Sequence, residues 1–211
     1  MTDPRLPSTR LPAARRRRQL LDVAQEVFAD KGFHVASMDD IAEAAGVTKP
    51  VLYQHFVSKR ELYLQLLEDV GGRLMETVTS ALARASGPRE QVEAGIGAYF
   101  RFVALQSSAF RLLFGGGSRR DEEFADAVRR VEDAMAAAVA PLIEADLEPD
   151  HQRALAYGIV GLAEASSRHW VQLRESGGPP GDAEVALKEA ERLARRISEL
   201  AWAGLRGVHR D

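Results

Sequence analysis

Two short helical patterns joined at a glycine constrain this chain more than any other feature. In SMDDIAEAAGVTKPVLYQHFVSKRE, residues 37–61, Ser37 is placed to cap a helix. Its hydroxyl can accept from first-turn amides, and Asp40 three residues on completes a capping-box pattern. Met38, Ile41, Ala42 and Ala45 form one inward stripe, Ala44, Ala45 and Gly46 permit a close neighbour, and Gly46 reads as the stop. Val47 then plugs the corner, and Thr48 or Lys49 caps a further helix with Pro50 in its first turn, where a missing N–H costs little. That helix is predicted over Lys49 to Phe56, with Leu52 and Phe56 facing in. Ser58 with Glu61 makes a second capping box, and Lys59 and Arg60 stand at the positive start of a fourth helix.

The outer side of the third helix then carries Lys49, Pro50, Val51, Tyr53, Gln54 and His55. A helix with packing duties alone rarely exposes Val, Tyr and His within two turns. A helix lying in a DNA major groove needs that mix: Lys and Gln for base edges, a small apolar group for a thymine methyl, Tyr and His for phosphates. The net charge of -3 argues against a generic nucleic-acid binder, so the distribution of charge decides. Residues 1–62 hold ten basic and eight acidic residues, against 18 and 23 in the remainder. A basic front end on an acidic body presents one face to phosphate and keeps the other away.

Ahead of this stretch, residues 1–14 contain Pro4, Pro7 and Pro12 among Ser and Thr and read as a basic, flexible arm. Arg15 to Arg18 allow two readings, a solvated charge run or a phosphate or minor-groove contact. From Arg16 to Lys31 the residues Leu20, Leu21, Ala24, Val27 and Phe28 recur at helical intervals up to a stop at Lys31-Gly32, after which Phe33 and Val35 are expected to pack back.

AxxxFxxKGF in Ala24 to Phe33, followed by SMDDIAEAAGVTKPVLYQHFVSKREL, resembles the N-terminal helix-turn-helix of TetR/AcrR-type transcriptional regulators, without a gap from Ala24 to Leu62. The resemblance implies an all-α protein: a three-helix DNA-binding domain over residues 15–62 and a helical ligand-binding and dimerisation domain over residues 63–211. It implies that Ser37 touches DNA backbone, that Thr48, Lys49 and Val51 approach base edges, and that Tyr53, His55 and Lys59 hold phosphates. Gln54 sits where the family varies and adds specificity. Pro50 departs from the Gly or other small residue of many relatives and removes an amide donor.

Beyond residue 62 the pattern is a succession of helices. Glu61 to Ala85 keeps a long apolar stripe interrupted by Gly71-Gly72, read as tolerated helical glycines. Residues 89–114 form a helix holding most of the body's aromatics. A loop follows at 115–120, a helix at Glu122 to Ala145, and a small-residue-rich helix at His151 to Glu175. After a loop over 176–182 comes a last helix through Val185 to Leu205. The last two, by the resemblance, make half of a four-helix homodimer interface, and an inducer pocket lies in the body. Candidate ligand residues are Tyr99, Phe100, Phe102, Phe110, Arg111, Phe114, Glu164 and Trp170. Arg111, inside an apolar run, needs an anionic partner, either Glu164 or a ligand carboxylate or phosphate.

Zero Cys excludes disulfides and thiol chemistry. No apolar run approaches the ~20 residues a bilayer requires, and MTDPRLPSTR lacks a hydrophobic signal core, so a soluble cytoplasmic protein is expected. The five His show no metal-binding spacing and neither GxSxG nor a dinucleotide fingerprint occurs. No cofactor, metal or catalysis is therefore expected. The expected function is a homodimeric regulator, a repressor, that binds a palindromic DNA operator and responds to a hydrophobic small molecule. An effector-independent DNA-binding protein and an α-helical enzyme are the alternatives.

Overall fold

The computed structural model describes residues 12–115, 121–143, 147–176 and 182–207, and among these it is helical with no strand. The chain divides into two compact units, Met1–Leu66 and Leu67–Asp211. The expected arm lies, as far as Leu11, outside the described residues, as does most of the loop expected at 115–120.

The first unit contains α1 (Ala13–Val35), α2 (Met38–Ala44), α3 (Lys49–Tyr53) and the start of α4 (Lys59–Leu82). Regular α1 geometry stops where the sequence places the stop, because Gly32 takes φ 75°, a left-handed value that costs a residue without Cβ little. Phe33 packs back, its ring centroid 5.0 Å from that of Tyr63 and 6.1 Å from that of Phe28. Val35 does not: it is 74% exposed, and the next residue, Ala36, takes the inward position at 1%. Gly46 has φ 63° and ends α2 as expected. α3 is shorter than predicted. Its regular turns end at Tyr53, and the chain continues to Phe56 as a turn in which the His55 and Phe56 amides both donate to the Leu52 carbonyl. Leu20, Ile41, Leu52, Phe56 and Leu62 are fully buried, and each contributes about 1.5–3 kcal/mol of transfer free energy.

The second unit contains the rest of α4, then α5 (Pro88–Leu105), α6 (Ser107–Phe114), α7 (Glu122–Val139) with a 3-10 turn at Ala140–Leu142, α8 (Pro149–Ser176) and α9 (Ala183–Arg206). The helix expected over 89–114 is two helices, broken at Gln106 with φ -133° and ψ 52°. α7 ends before Ala145 because Pro141 has no N–H to continue the ladder. α9 lies against α5 through Ala186, Ala190, Ala194, Ser198 and Ala201, all buried. These short side chains let two backbones approach and leave the larger Val185 and Leu200 on the outer side, exposed.

α4 runs unbroken through Gly71-Gly72, and the two glycines do different work. A Cβ at Gly71 would stand 2.4 Å from Cγ2 of Val131 on α7, whereas one at Gly72 meets nothing within 4 Å. Val131 is β-branched and cannot swing clear cheaply. Gly72→Ala should therefore stabilise the protein by about 0.5–1 kcal/mol through helix propensity. Gly71→Ala should destabilise it, since overpacking of roughly 1–3 kcal/mol outweighs the same gain. Urea unfolding of the two variants checks the opposite signs.

Candidate nucleic-acid interface and ligand cavities

Both helix starts flanking the glycine corner are fixed by side chains. The Asp40 amide donates to Ser37 Oγ at 3.1 Å and the Ser37 amide donates to Asp40 Oδ2 at 2.8 Å, so the expected capping box is present. Lys31 Nζ reaches Asp40 Oδ1 at 2.9 Å. The Lys31 ammonium, with the amide and hydroxyl of Ser37, holds the Asp40 carboxyl down at about 2. At the second start the Glu61 amide donates to Ser58 Oγ at 3.1 Å, and the Glu61 carboxylate accepts from the Val57 amide at 2.7 Å.

Between these anchors, α3 presents its outer face. Thr48 is the N-cap residue by backbone geometry, yet its side chain makes no capping hydrogen bond, which leaves the hydroxyl for another partner. Tyr53 is 43% exposed, Lys49, Pro50 and Gln54 are exposed, and Val51 and His55 are half-buried. Lys49 Nζ sits 2.8 Å from Asp39 Oδ2 on α2, and that carboxylate raises the ammonium above the usual lysine range. Pairs of this exposed kind are worth ~0–1 kcal/mol, so Lys49 can exchange Asp39 for another anion at small cost. Val57, 77% exposed beside this face, was not singled out from the sequence. Its alternation with buried Phe56 is the signal that marks it.

Lys59 has a different set of partners from the phosphate that the resemblance implies. Its Nζ donates to the carbonyls of Phe33 at 2.8 Å and Ala36 at 2.9 Å, approaches that of His34 at 3.4 Å, and lies 4.6 Å from the Phe33 ring centroid.

The body separates the candidate ligand residues. An apolar cavity of about 60 Å³ is lined by Val78 and Leu82 of α4, Ile96 and Tyr99 of α5, Met135 of α7 and Val160 of α8, with neighbours. Of the eight candidates only Tyr99 lines it. Phe100, Phe102, Phe110 and Phe114 are buried core, with Phe110 and Phe114 stacked 5.2 Å apart. A second cavity of about 440 Å³, between α5, α6, α8 and α9, holds Arg111 and Trp170 with Ser107 and Arg174. Arg111 pairs with Glu175 at 2.9 Å, and Glu164, its expected internal partner, pairs instead with Arg168 at 3.2 Å. Glu164 is one turn from Arg168 on the same helix, an i,i+4 geometry that wins over any partner on another helix.

A short α2, a glycine corner and an α3 with an exposed mixed face define a helix-turn-helix regulator. Comparison with known proteins gives the family. Residues 20–66 match the model of bacterial regulatory proteins of the tetR family, and residues 88–204 match the tetracyclin repressor-like C-terminal domain. The chain is 38% identical over 201 residues to the HTH-type transcriptional activator FasR of Mycolicibacterium smegmatis, covering 94% of this chain and 87% of that protein. A TetR-like transcriptional regulator from a Rhodococcus species superposes with a TM-score of 0.72 at 31% identity, covering 94% of this chain and 100% of that one. FadR of Bacillus subtilis in complex with stearoyl-CoA shares the fold, with a TM-score of 0.70 at 17% identity, covering 91% and 99%. This chain belongs to the TetR family. Its relatives are transcriptional regulators, and among the described residues no helix is long and apolar enough to cross a membrane.

The capping box supplies a pH test. The Asp40 carboxyl, depressed from 3.8 to about 2, contributes stability that is present above its ordinary range and is lost as pH falls towards 2. The stability difference between wild type and Asp40→Asn should be full above about pH 5 and shrink steadily below pH 4. Denaturant titrations across that window measure it.

Proposed function

We propose that this protein is a homodimeric, ligand-responsive transcriptional regulator that reads a palindromic operator with α3 and senses a hydrophobic acyl compound in its body. The observation that carries the reading is the outer face of α3, with an uncommitted Thr48 hydroxyl and an exposed Tyr53, held between two capped helix starts. In this reading residues 15–62 are the DNA-binding domain, residues 63–211 the ligand and dimer domain, and residues 1–14 a basic arm. Ser37, Tyr53 and His55 meet phosphates, while Thr48, Lys49, Val51 and Gln54 face base edges. Lys59 acts chiefly by fixing α1 against α4.

Dimerisation through α8 and α9 is supported by exposed Tyr157, Leu173, Val185 and Leu200 on those two helices, and by the match between a two-fold protein and a palindromic site. The acyl ligand is supported by the apolar cavity and by the stearoyl-CoA complex of FadR, which shares the fold. Val78 and Leu82 place α4 in the wall of that cavity, so a chain that enlarges it displaces the helix whose first turns belong to the reading unit. Sequence alone favours repression, whereas the full-length likeness to an activator favours activation. The sign follows from where the operator lies relative to the promoter.

Footprinting on DNA flanking its gene locates the operator, and fluorescence anisotropy then measures the variants. Tyr53→Ala should weaken binding on every sequence, while Lys49→Ala should also relax base preference by roughly 1–3 kcal/mol. Unchanged footprints in both would sink the assignment of α3. Fatty acids and acyl thioesters should raise the melting temperature and change operator occupancy. Silence in both assays would leave an effector-independent DNA-binding protein. A promoter reporter reads the sign.

A further inference from the structure

The two cavities of the second unit are neighbours along the same helices. On α5 the apolar cavity ends at Tyr99 and the polar one begins at Val103, one turn or about 6 Å on. On α8 the step from Ala163 to Trp170 is two turns, roughly 10 Å. Three buried side-chain atoms without a hydrogen-bond partner belong to this same stretch: Tyr99 Oη, Ser167 Oγ and Arg111 Nε. Tyr99 lines the first cavity, Ser167 lies between Ala163 and Trp170, and Arg111 lines the second. Leaving such groups unpaired costs about 1–3 kcal/mol each, so their grouping calls for a partner that enters from outside the chain.

The chemistry of the polar cavity narrows that partner. Arg111 and Arg174 both line it, against one lining carboxylate, Glu175. Glu175 is about half exposed, and Arg174 is held by Glu189 at 2.5 Å from the far side. Such pairs are worth ~0–1 kcal/mol in water-exposed positions, whereas a phosphate accepts two forked guanidinium contacts at once. Trp170 supplies a flat face for an aromatic ring: its indole borders this cavity and also the groove beyond it. A volume of about 440 Å³ lies within the ~300–1,000 Å³ that small-molecule sites occupy.

We propose that the Arg111–Arg174–Trp170 cavity is a second subsite that takes an organic phosphate carried on a planar aromatic ring, the head group of a ligand whose acyl chain occupies the apolar cavity. The inference rests on the acyl-sensing reading above for the chain and adds the head. The link between the two passes Tyr99 and Ser167, where an acyl carbonyl would accept from their hydroxyls. Burial keeps the Tyr99 phenol protonated well past its ordinary range, so it remains a donor.

The chain has two tryptophans, so Trp202→Phe leaves Trp170 as the sole fluorescent reporter. Adenosine 3′,5′-bisphosphate, which has the ring and the phosphates but no chain, should quench Trp170 saturably. Arg111→Gln and Arg174→Gln should each weaken that binding by about tenfold, Arg111→Lys by less, and Tyr99→Phe should leave it unchanged. Orthophosphate should compete only weakly, and palmitate should raise the melting temperature equally in wild type and Arg111→Gln, which also shows that the variant is folded. Absence of saturable quenching, wild-type affinity in both Gln variants, or orthophosphate binding as tightly as the bisphosphate overturns the subsite. If palmitate still stabilises the protein in that case, the acyl-sensing reading survives alone; if palmitate is also inert while the bisphosphate binds, the acyl reading falls and the anion site stands.

Discussion

The amino-terminal unit depends on one ammonium group. Gly32 breaks the α1 ladder, and the carbonyls of Phe33, His34 and Ala36 are left near one another past the break; Lys59 Nζ gathers all three at 2.8, 3.4 and 2.9 Å. Three N–H donors on a lysine meet three acceptors, and each carbonyl left unpaired in a part-buried place would cost about 1–3 kcal/mol. The contact fastens the end of α1 to the first residue of α4, and the Phe33 ring beneath the ammonium adds an aromatic face. α2 and α3 are seven and five residues long, too short to persist alone. They hold their orientation because the two longer helices around them are tied at this point and because Ile41, Leu52 and Phe56 reach a common core.

This arrangement was legible in the sequence wherever local chemistry decides it. Ser37 and Asp40 satisfy each other over three residues, Gly32 and Gly46 take the positive φ that only glycine adopts readily, and the spacing of Met38, Ile41 and Ala42 fixes the buried face. The duty of Lys59 was not legible. A lysine at a helix start looks like a phosphate contact from sequence, and its partners lie 23 to 26 residues away in the chain. Val35 misled for the related reason that a turn of three residues can aim any one of them inward, and Ala36 took the place.

In the body, aromatic residues drew the sequence reading towards the wrong wall. Phe100, Phe102, Phe110 and Phe114 are core, and the apolar cavity is bounded mainly by aliphatic residues from five helices and the 3-10 turn. Such a cavity has no local signature, since Val78, Ile96, Met135 and Val160 each continue an ordinary apolar stripe. Arg111 stood out correctly as a polar residue in an apolar run, but its choice of Glu175 over Glu164 depends on how α6 meets α8. The break at Gln106 sets that meeting, and a helical pattern that reads through residue 106 hides it.

The small volume of the apolar cavity bears on how a signal leaves it. At about 60 Å³ it exceeds the ~10–15 Å³ that one water needs yet falls far short of the ~300 Å³ at the lower end of ligand sites. Interiors packed at crystal-like density do not stretch; they switch between arrangements. A long chain therefore enters only by moving a wall, and the walls differ in resistance. α5 is locked to α9 by the close fit of Ala186, Ala190 and Ala194, and α4 is held against α7 by the contact at Gly71. Leu82 lies three turns beyond that contact, at the end of α4, where the helix is free of it. The yielding wall is thus the Val78–Leu82 end of α4, with Gly71 as the fulcrum about which a push there tilts the remainder of the helix.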